Sequence, residues 1–340
     1  MNNLIRNTIF ISLSIAFIFF ANSIFGSYQM FLINTIGIYA ILALSYNLIN
    51  GVTGQFSLEP NGFVAIGAYF TAILLLPTDA KVDMFALVDP APVILSMHTN
   101  SLLIAITIGG IAASIIALLL SFPVFRVRGD YLAIVTLGFG FIIRIFAINN
   151  PEYTNGSMGL NDISSSINFY WVGGILLITF IAMLNIIYSK FGRAMKSVRD
   201  DEDAAIAMGI NTFKMKTYAF MTSAFFEGVG GGLLAALITT ITPDQFSFLL
   251  TFQLLIIVVL GGLGSMSGTL IATILVMVGM EALRFLDEPN IFGLGNEAHP
   301  GLRMVIFSII LILVMLFARR GLLGDRELLD FFKKSKRWVF

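Results

Sequence analysis

The chain has no cysteine and only two histidines, His98 and His299. A disulfide, a thiolate nucleophile and a Cys-based metal site are therefore excluded, and both histidines read as loop residues rather than ligands. Charge is scarce. Asp, Glu, Lys and Arg make up 12% of the 340 residues, against about 25% in soluble globular domains. The two signs balance, 20 basic against 20 acidic, so bulk charge points to no nucleic-acid partner. No phosphate loop ending in Gly-Lys-Ser/Thr is present. Gly261 to Gly268 supplies glycines but no lysine, and no strand pattern precedes it. No His-Glu-x-x-His, Ser/His/Asp or metal-ligand cluster appears either. The expectation is a chain that is not an enzyme, hydrolyses no ATP, and needs no cofactor or metal.

What the chain has instead is apolar sequence, 57% of it. A soluble core cannot absorb this much Leu, Ile and Phe, so the expected fold class is an all-α polytopic membrane protein. A span needs about 20 predominantly apolar residues. Ten stretches qualify: 8–25, 28–49, 61–77, 101–122, 130–148, 169–188, 214–241, 247–262, 267–286 and 302–318. Residues 1–340 then form a single transmembrane domain. The run after Arg6 is long and lacks a small-x-small cleavage site, so it reads as a span rather than a signal peptide.

Orientation follows from the flanking Lys and Arg. With the N-terminus in the cytoplasm, Arg126, Arg128, Lys190, Arg193, Lys196, Arg199, Lys214 and Lys216 fall inside, as does the basic tail 319–340. The outside loops keep Lys81 among Asp79, Asp83, Asp89, Glu152, Asp162 and Asp244. Both termini are expected in the cytoplasm.

Two glycine-rich stretches interrupt the helical pattern. Residues 50–62 contain three glycines and Pro60; residues 261–268 read Gly-Gly-Leu-Gly-Ser-Met-Ser-Gly. Irregular backbone survives at membrane depth only when protein or a water-filled cavity surrounds it. Gln55, Ser57, Glu59 and Asn61 are thus candidate pathway residues, with Glu59 on the cytoplasmic side. The alternative is that both stretches are tight cytoplasmic turns, the plainer reading for 261–268. Two carboxylates fall within spans, Glu227 beside four glycines and Glu281 three residues before Arg284. Glu227 is a pathway or coupling-ion candidate, since intramembrane ionisable groups mark such routes. With no basic partner visible, a carboxyl satisfied in a helix interface or held protonated is the plainer alternative.

The densest charge lies in a cytoplasmic loop, 190–213. Its basic first part fits the membrane edge of a helix. Asp200 to Asp203 then suits a helix N-terminus, Ala204 to Met208 favours helix, and Gly209 suits a left-handed cap. The expected product is a short helix with a small-residue face, centred on Ala205, on which a partner's groove closes.

Asp203-Ala204-Ala205-Ile206-Ala207-Met208-Gly209 resembles the Glu-Ala-Ala-x-x-x-Gly motif of ABC importer permeases. The wider pattern is similar to the branched-chain amino acid permease family, in its larger M-type subunit. It includes Gly54-Gln55-Phe56-Ser57-Leu58, Ile66-Gly67-Ala68-Tyr69, Arg128 to Leu137, Asn155 to Leu160, Pro243 to Phe246, Ile257 to Ser265 and Gly321 to Gly324, so the likeness spans nearly the whole chain. The chain departs from that family at Glu59-Pro60-Asn61, where Gly-His-Ala is frequent, and at Phe141, Glu227 and Arg319-Arg320.

The resemblance implies a bacterial inner-membrane permease with a fold related to the cobalamin-importer type. It implies four kinds of partner: membrane lipid, a second homologous permease, two ATPase subunits and a periplasmic binding protein. Arg193, Arg199, Asp203, Ala204, Ala205 and Gly209 would carry ATPase coupling. The implied solute is a branched-chain amino acid, with urea or a short-chain amide as the alternative. An ion-coupled carrier using Glu227 or Glu281 and a passive channel filtered by 50–62 are the rivals from other classes.

Overall fold

A computed structural model describes residues 25–85, 90–127, 129–164, 167–284, 305–309, 312, 316, 321–324 and 327. The expected first span (but for its last residue), much of the last span and most of the 319–340 tail lie outside the described residues. Among the described residues the chain is helical, with one isolated antiparallel bridge, Leu160 to Ile241, and no strand.

Helix α1, Ser27–Asn47, passes into a π-helical turn, Leu48–Val52. Residues 53–59 are non-helical. Pro60 then opens α2, Pro60–Leu75, a position where a missing N–H costs nothing and φ is preset. Pro77 ends it, and the chain bends by 115° into α3, Thr78–Met84. Next come α4, Pro92–Ser96, α5, Leu102–Val124, α6, Asp130–Asn149, and a single turn α7, Pro151–Thr154. Then follow α8, Phe169–Tyr188, α9, Lys190–Asp200, α10, Glu202–Ala207, and the long α11, Thr212–Ile238. Last are α12, Phe248–Gly261, and α13, Met266–Ala282.

Among the described residues, five helices are long and apolar enough to cross a membrane, or six if the bent pair α2–α3 is one span. The shorter apolar α12 and α13 accompany them. The chain is therefore a multi-pass membrane protein.

Helices α1 and α11 form the centre. Their apolar windows are 72% and 67% buried, against 39%, 33% and 33% for α5, α6 and α8. Outward-facing Ile108, Ile111, Ile115 and Leu119 of α5 are exposed. On a helix this apolar, such a stripe faces hydrocarbon. Glycine lets the central helices touch. A Cβ on Gly67 of α2 would lie 2.0 Å from the Gly228 carbonyl of α11, and one on Gly228 would lie 3.0 Å from the Gly109 carbonyl of α5. Lipid supplies no hydrophobic drive between helices, so close backbone packing of this kind is what holds them.

Loops expected outside meet one another. The Ala91 N–H donates to the Glu152 carbonyl at 3.1 Å, and Leu160 and Ile241 exchange bonds of 2.9 and 2.8 Å. Lys81, with no exposed surface, donates to the carbonyls of Ile94 (2.9 Å) and Met97. The absence of cysteine makes the sidedness directly testable. In cells, Ser96→Cys should react with an impermeant thiol reagent, and Ser197→Cys only after permeabilisation. Labelling of Ser197→Cys in intact cells would invert the topology.

Candidate functional site

The charged loop is two helices. Its basic part does not continue α8, as the sequence suggested. Ser189 turns extended, its hydroxyl accepts the Gly192 N–H at 3.2 Å, and α9 starts anew. A Cβ on Gly192 would lie 2.3 Å from the carbonyls of Ile186 and Ile187, so the corner needs a glycine. Met195 and Val198, three apart, bury the inner face of α9. The break to α10 is capped by Asp201, whose Oδ1 accepts from the Ala204 N–H at 2.9 Å. At the far end Gly209 takes φ +82°. The N–H groups of Gly209 and Ile210 reach back to the carbonyls of Ile206 and Ala205. That is the Schellman closure, which needs a left-handed residue. Lys216 at the start of α11 pairs with Glu202 at 2.8 Å and fixes α10 against the bundle.

Ala205, expected to meet a partner's groove, is only 3% exposed; it is turned into the chain, under the α10 cap. Around it Asp201, Asp203, Ala204, Ile206, Ala207, Met208 and Gly209 are exposed, Met208 at 83%. Arg193 is exposed and donates to the Tyr188 carbonyl at 3.2 Å.

Arg199 does something the sequence did not show. From α9 its Nη1 donates to the Gly51 carbonyl in the π turn at 3.2 Å. Gly54, at φ +69°, lies so close that a Cβ there would sit 2.4 Å from Arg199 Cγ. A Cβ on Gly264 would lie 3.2 Å from Nη1. The two glycine-rich stretches thus meet around this one side chain. Asn47 joins them again: its Oδ1 accepts from Gly264 N–H at 2.9 Å, and its Nδ2 donates to Ser265 O (3.0 Å) and Thr269 Oγ1 (2.8 Å). Glu327, a tail residue that sequence reasoning passed over, accepts the N–H groups of Met266 (2.7 Å) and Ser267 (2.9 Å) and the Ser267 hydroxyl. A carboxylate three or four residues past a turn gives no local signal of this pairing.

From Arg199 the 53–59 segment climbs into the bundle. Gln55 is half-buried; Ser57, Glu59 and Asn61 are buried. Tyr46 donates to the Ser57 carbonyl at 2.6 Å, and Asn50 Oδ1 accepts the Ser57 N–H at 3.1 Å. Asn61 Nδ2 donates to the Phe246 carbonyl at 3.2 Å, and Thr251 Oγ1 donates to Asn61 Oδ1 at 3.1 Å. Glu59 has no exposed surface and lies within electrostatic reach of Glu227, near the middle of α11. Both oxygens of Glu59, Oε2 of Glu227 and the Ser57 hydroxyl have no hydrogen-bond partner among the described residues. Two ionised carboxylates in such a place would repel each other, and desolvation would cost several kcal/mol per ion besides. Sequence alone gave each carboxylate singly; only the fold pairs positions 59 and 227. The other span carboxylate, Glu281, is half-exposed and pairs with Arg284 at 3.2 Å and with the Tyr28 hydroxyl.

A family described as the branched-chain amino acid transport system permease component matches residues 28–315. The chain is 32% identical over 320 residues to the high-affinity branched-chain amino acid transport system permease protein LivM of Escherichia coli (strain K12), which covers 84% of this chain and 68% of that protein. It is 27% identical over 323 residues to LivH of Salmonella typhimurium, covering 88% of this chain and 96% of that one. The guanosine ABC transporter permease protein NupQ of Bacillus subtilis is 28% identical over 240 residues, 67% of this chain and 70% of its own. No solved structure matches.

Proposed function

A chain matched over this length belongs to the branched-chain amino acid transport permease family, and from that premise we propose that it is a membrane subunit of a bacterial ABC importer for branched-chain amino acids. Its likeness to both LivM and LivH supports a second, homologous permease as its partner. Two ATPase subunits would dock on the cytoplasmic side and a periplasmic binding protein would deliver solute outside. We read the whole as about ten spans of the cobalamin-importer type in the inner membrane, with both termini in the cytoplasm. Relatives of this chain are permease subunits and not enzymes.

The observation that carries the coupling role is the α9–α10 unit. A capped six-residue helix holds Ile206 and Met208 out from the bundle, and the helix before it grips the broken segment through Arg199. Exposed apolar side chains on a charged surface mark a contact for another protein. Ile206→Asp with Met208→Asp should lower co-purification of the ATPase subunits by at least about tenfold, which is about 1.4 kcal/mol of binding. Ala205→Glu is a different experiment: it injures the fold of α10, by burying an unpaired charge. Unchanged ATPase recovery with the double aspartate variant would remove α10 from the interface.

Function is tested by reconstitution. The chain with its second permease and ATPases should import labelled leucine into liposomes only with ATP and binding protein. Uptake by the chain alone would favour a carrier or channel. Saturating urea or guanosine should not compete with leucine.

A further inference from the structure

The hydroxyl of Ser223 has two short contacts and one proton. Its Oγ lies 2.7 Å from the Ser45 carbonyl of α1 and 2.9 Å from Glu227 Oε1. A carbonyl and an ionised carboxylate both only accept, so the one hydrogen would have to be shared in a weaker three-centre bond. Both contacts become hydrogen bonds if Glu227 carries a proton on Oε1, donates it to Ser223, and Ser223 donates to Ser45. Among the described residues Glu59 has no donor at either oxygen, and no basic side chain bonds to either carboxyl. Helix α1 presents Tyr46, whose proton goes to the Ser57 carbonyl. Helix α5 has no ionisable residue and α2 has only Tyr69. Arg144 of α6 pairs with Asp244, Arg199 of α9 lies on Gly51, and Lys216 of α11 pairs with Glu202.

We propose that Glu59 and Glu227 form a proton-binding site in the middle of the bundle. Both carboxyls are protonated in the packed arrangement, and the Glu59 proton passes to water when the 53–59 segment moves away from α11. The O–H bond of the carboxyl breaks, water becomes hydronium, and the carboxylate left behind is hydrated. Glu59 stands on the segment that Arg199 and Gly54 tie to α9, so site occupancy follows the position of the cytoplasmic helices. This last link rests on the coupling role proposed above; protonation of the pair does not.

The test uses the full chain, purified alone, with infrared difference spectra in H₂O and D₂O at neutral pH. Wild type should show a deuterium-sensitive protonated-carboxyl band. Glu59→Gln and Glu227→Gln, which mimic the neutral forms in shape, should each remove part of it, and the double variant all of it. If one single variant does not fold, the other carries the comparison. Arg199→Ala should lower the pH at which the Glu59 part disappears. A wild-type chain with no such band, or a band unchanged in Glu59→Gln and in Glu227→Gln, overturns the proposal. So does a band that vanishes when sodium replaces choline at fixed pH, which would make the pair a cation site. An Arg199→Ala midpoint equal to wild type would sever the link to α9. None of these measurements needs ATPase, solute or partner, so failed leucine import and a failed proton site are separable results.

Discussion

Gly67→Val should leave almost no folded chain. The new Cβ alone would stand 2.0 Å from the carbonyl oxygen, 2.4 Å from the Cα and 2.5 Å from the carbonyl carbon of Gly228. All three are backbone atoms of α11, so no side-chain rotation relieves the contact. Overpacking a core costs about 1–3 kcal/mol when side chains can shift, and here whole helices must separate. Separation would also part Gly228 from Gly109 and loosen α5. The expected readout is loss of the monodisperse peak in detergent and a thermal midpoint too low to measure. Gly138→Val is the control, because a Cβ at Gly138 meets nothing within 4 Å; it should purify as wild type does. A stable Gly67→Val chain would show that α2 and α11 do not touch here.

Arg199→Ala should abolish transport and spare the fold. Its bond to the Gly51 carbonyl, 3.2 Å long and partly exposed, is worth about 1 kcal/mol in net stability, within what a domain tolerates. Its mechanical value is larger, because it is a direct tie from α9 to the π turn that precedes Ser57 and Glu59. Without it, motion of α9 and α10 reaches the bundle only through looser packing. Uptake should fall more than about tenfold while ATPase co-purification, proposed above to rest on Ile206 and Met208, stays within about twofold of wild type (a difference below 0.5 kcal/mol). Gly54→Ala should act in the same direction, since it strains a φ of +69° and pushes a Cβ into Arg199. Half or more of wild-type uptake in Arg199→Ala would place the transmission elsewhere.

The helices were legible because their determinants are local. Runs such as 169–188 are bounded by polar residues and end where the apolar run ends, and the structure begins and ends α8 at those residues. Pro60, Pro77 and Gly209 act on their own backbone, through φ and the missing N–H, and the chain turns at each of them. Ser189 carries no local signal of a new helix start, because the basic residues that follow suit the membrane edge of a helix as well as a helix of their own. The corner is decided by the Ser189 hydroxyl and by the space Gly192 leaves free.

The sequence by itself determined the class, the membrane environment and the short capped helix, since composition, apolar run length and capping depend on near neighbours in the chain. Its motifs also carried the family resemblance. Only the tertiary structure decided which way that helix faces. Ala204 and Ala205 are equivalent as residues, yet one is exposed and the other buried under the Ile210 closure. Only the tertiary structure joined residues 51, 54 and 264 around the Arg199 side chain and brought Glu59 within electrostatic reach of Glu227. Such meetings follow from how helices pack on one another across long separations, where the sign and size of each contact depend on backbone placement that no local pattern encodes.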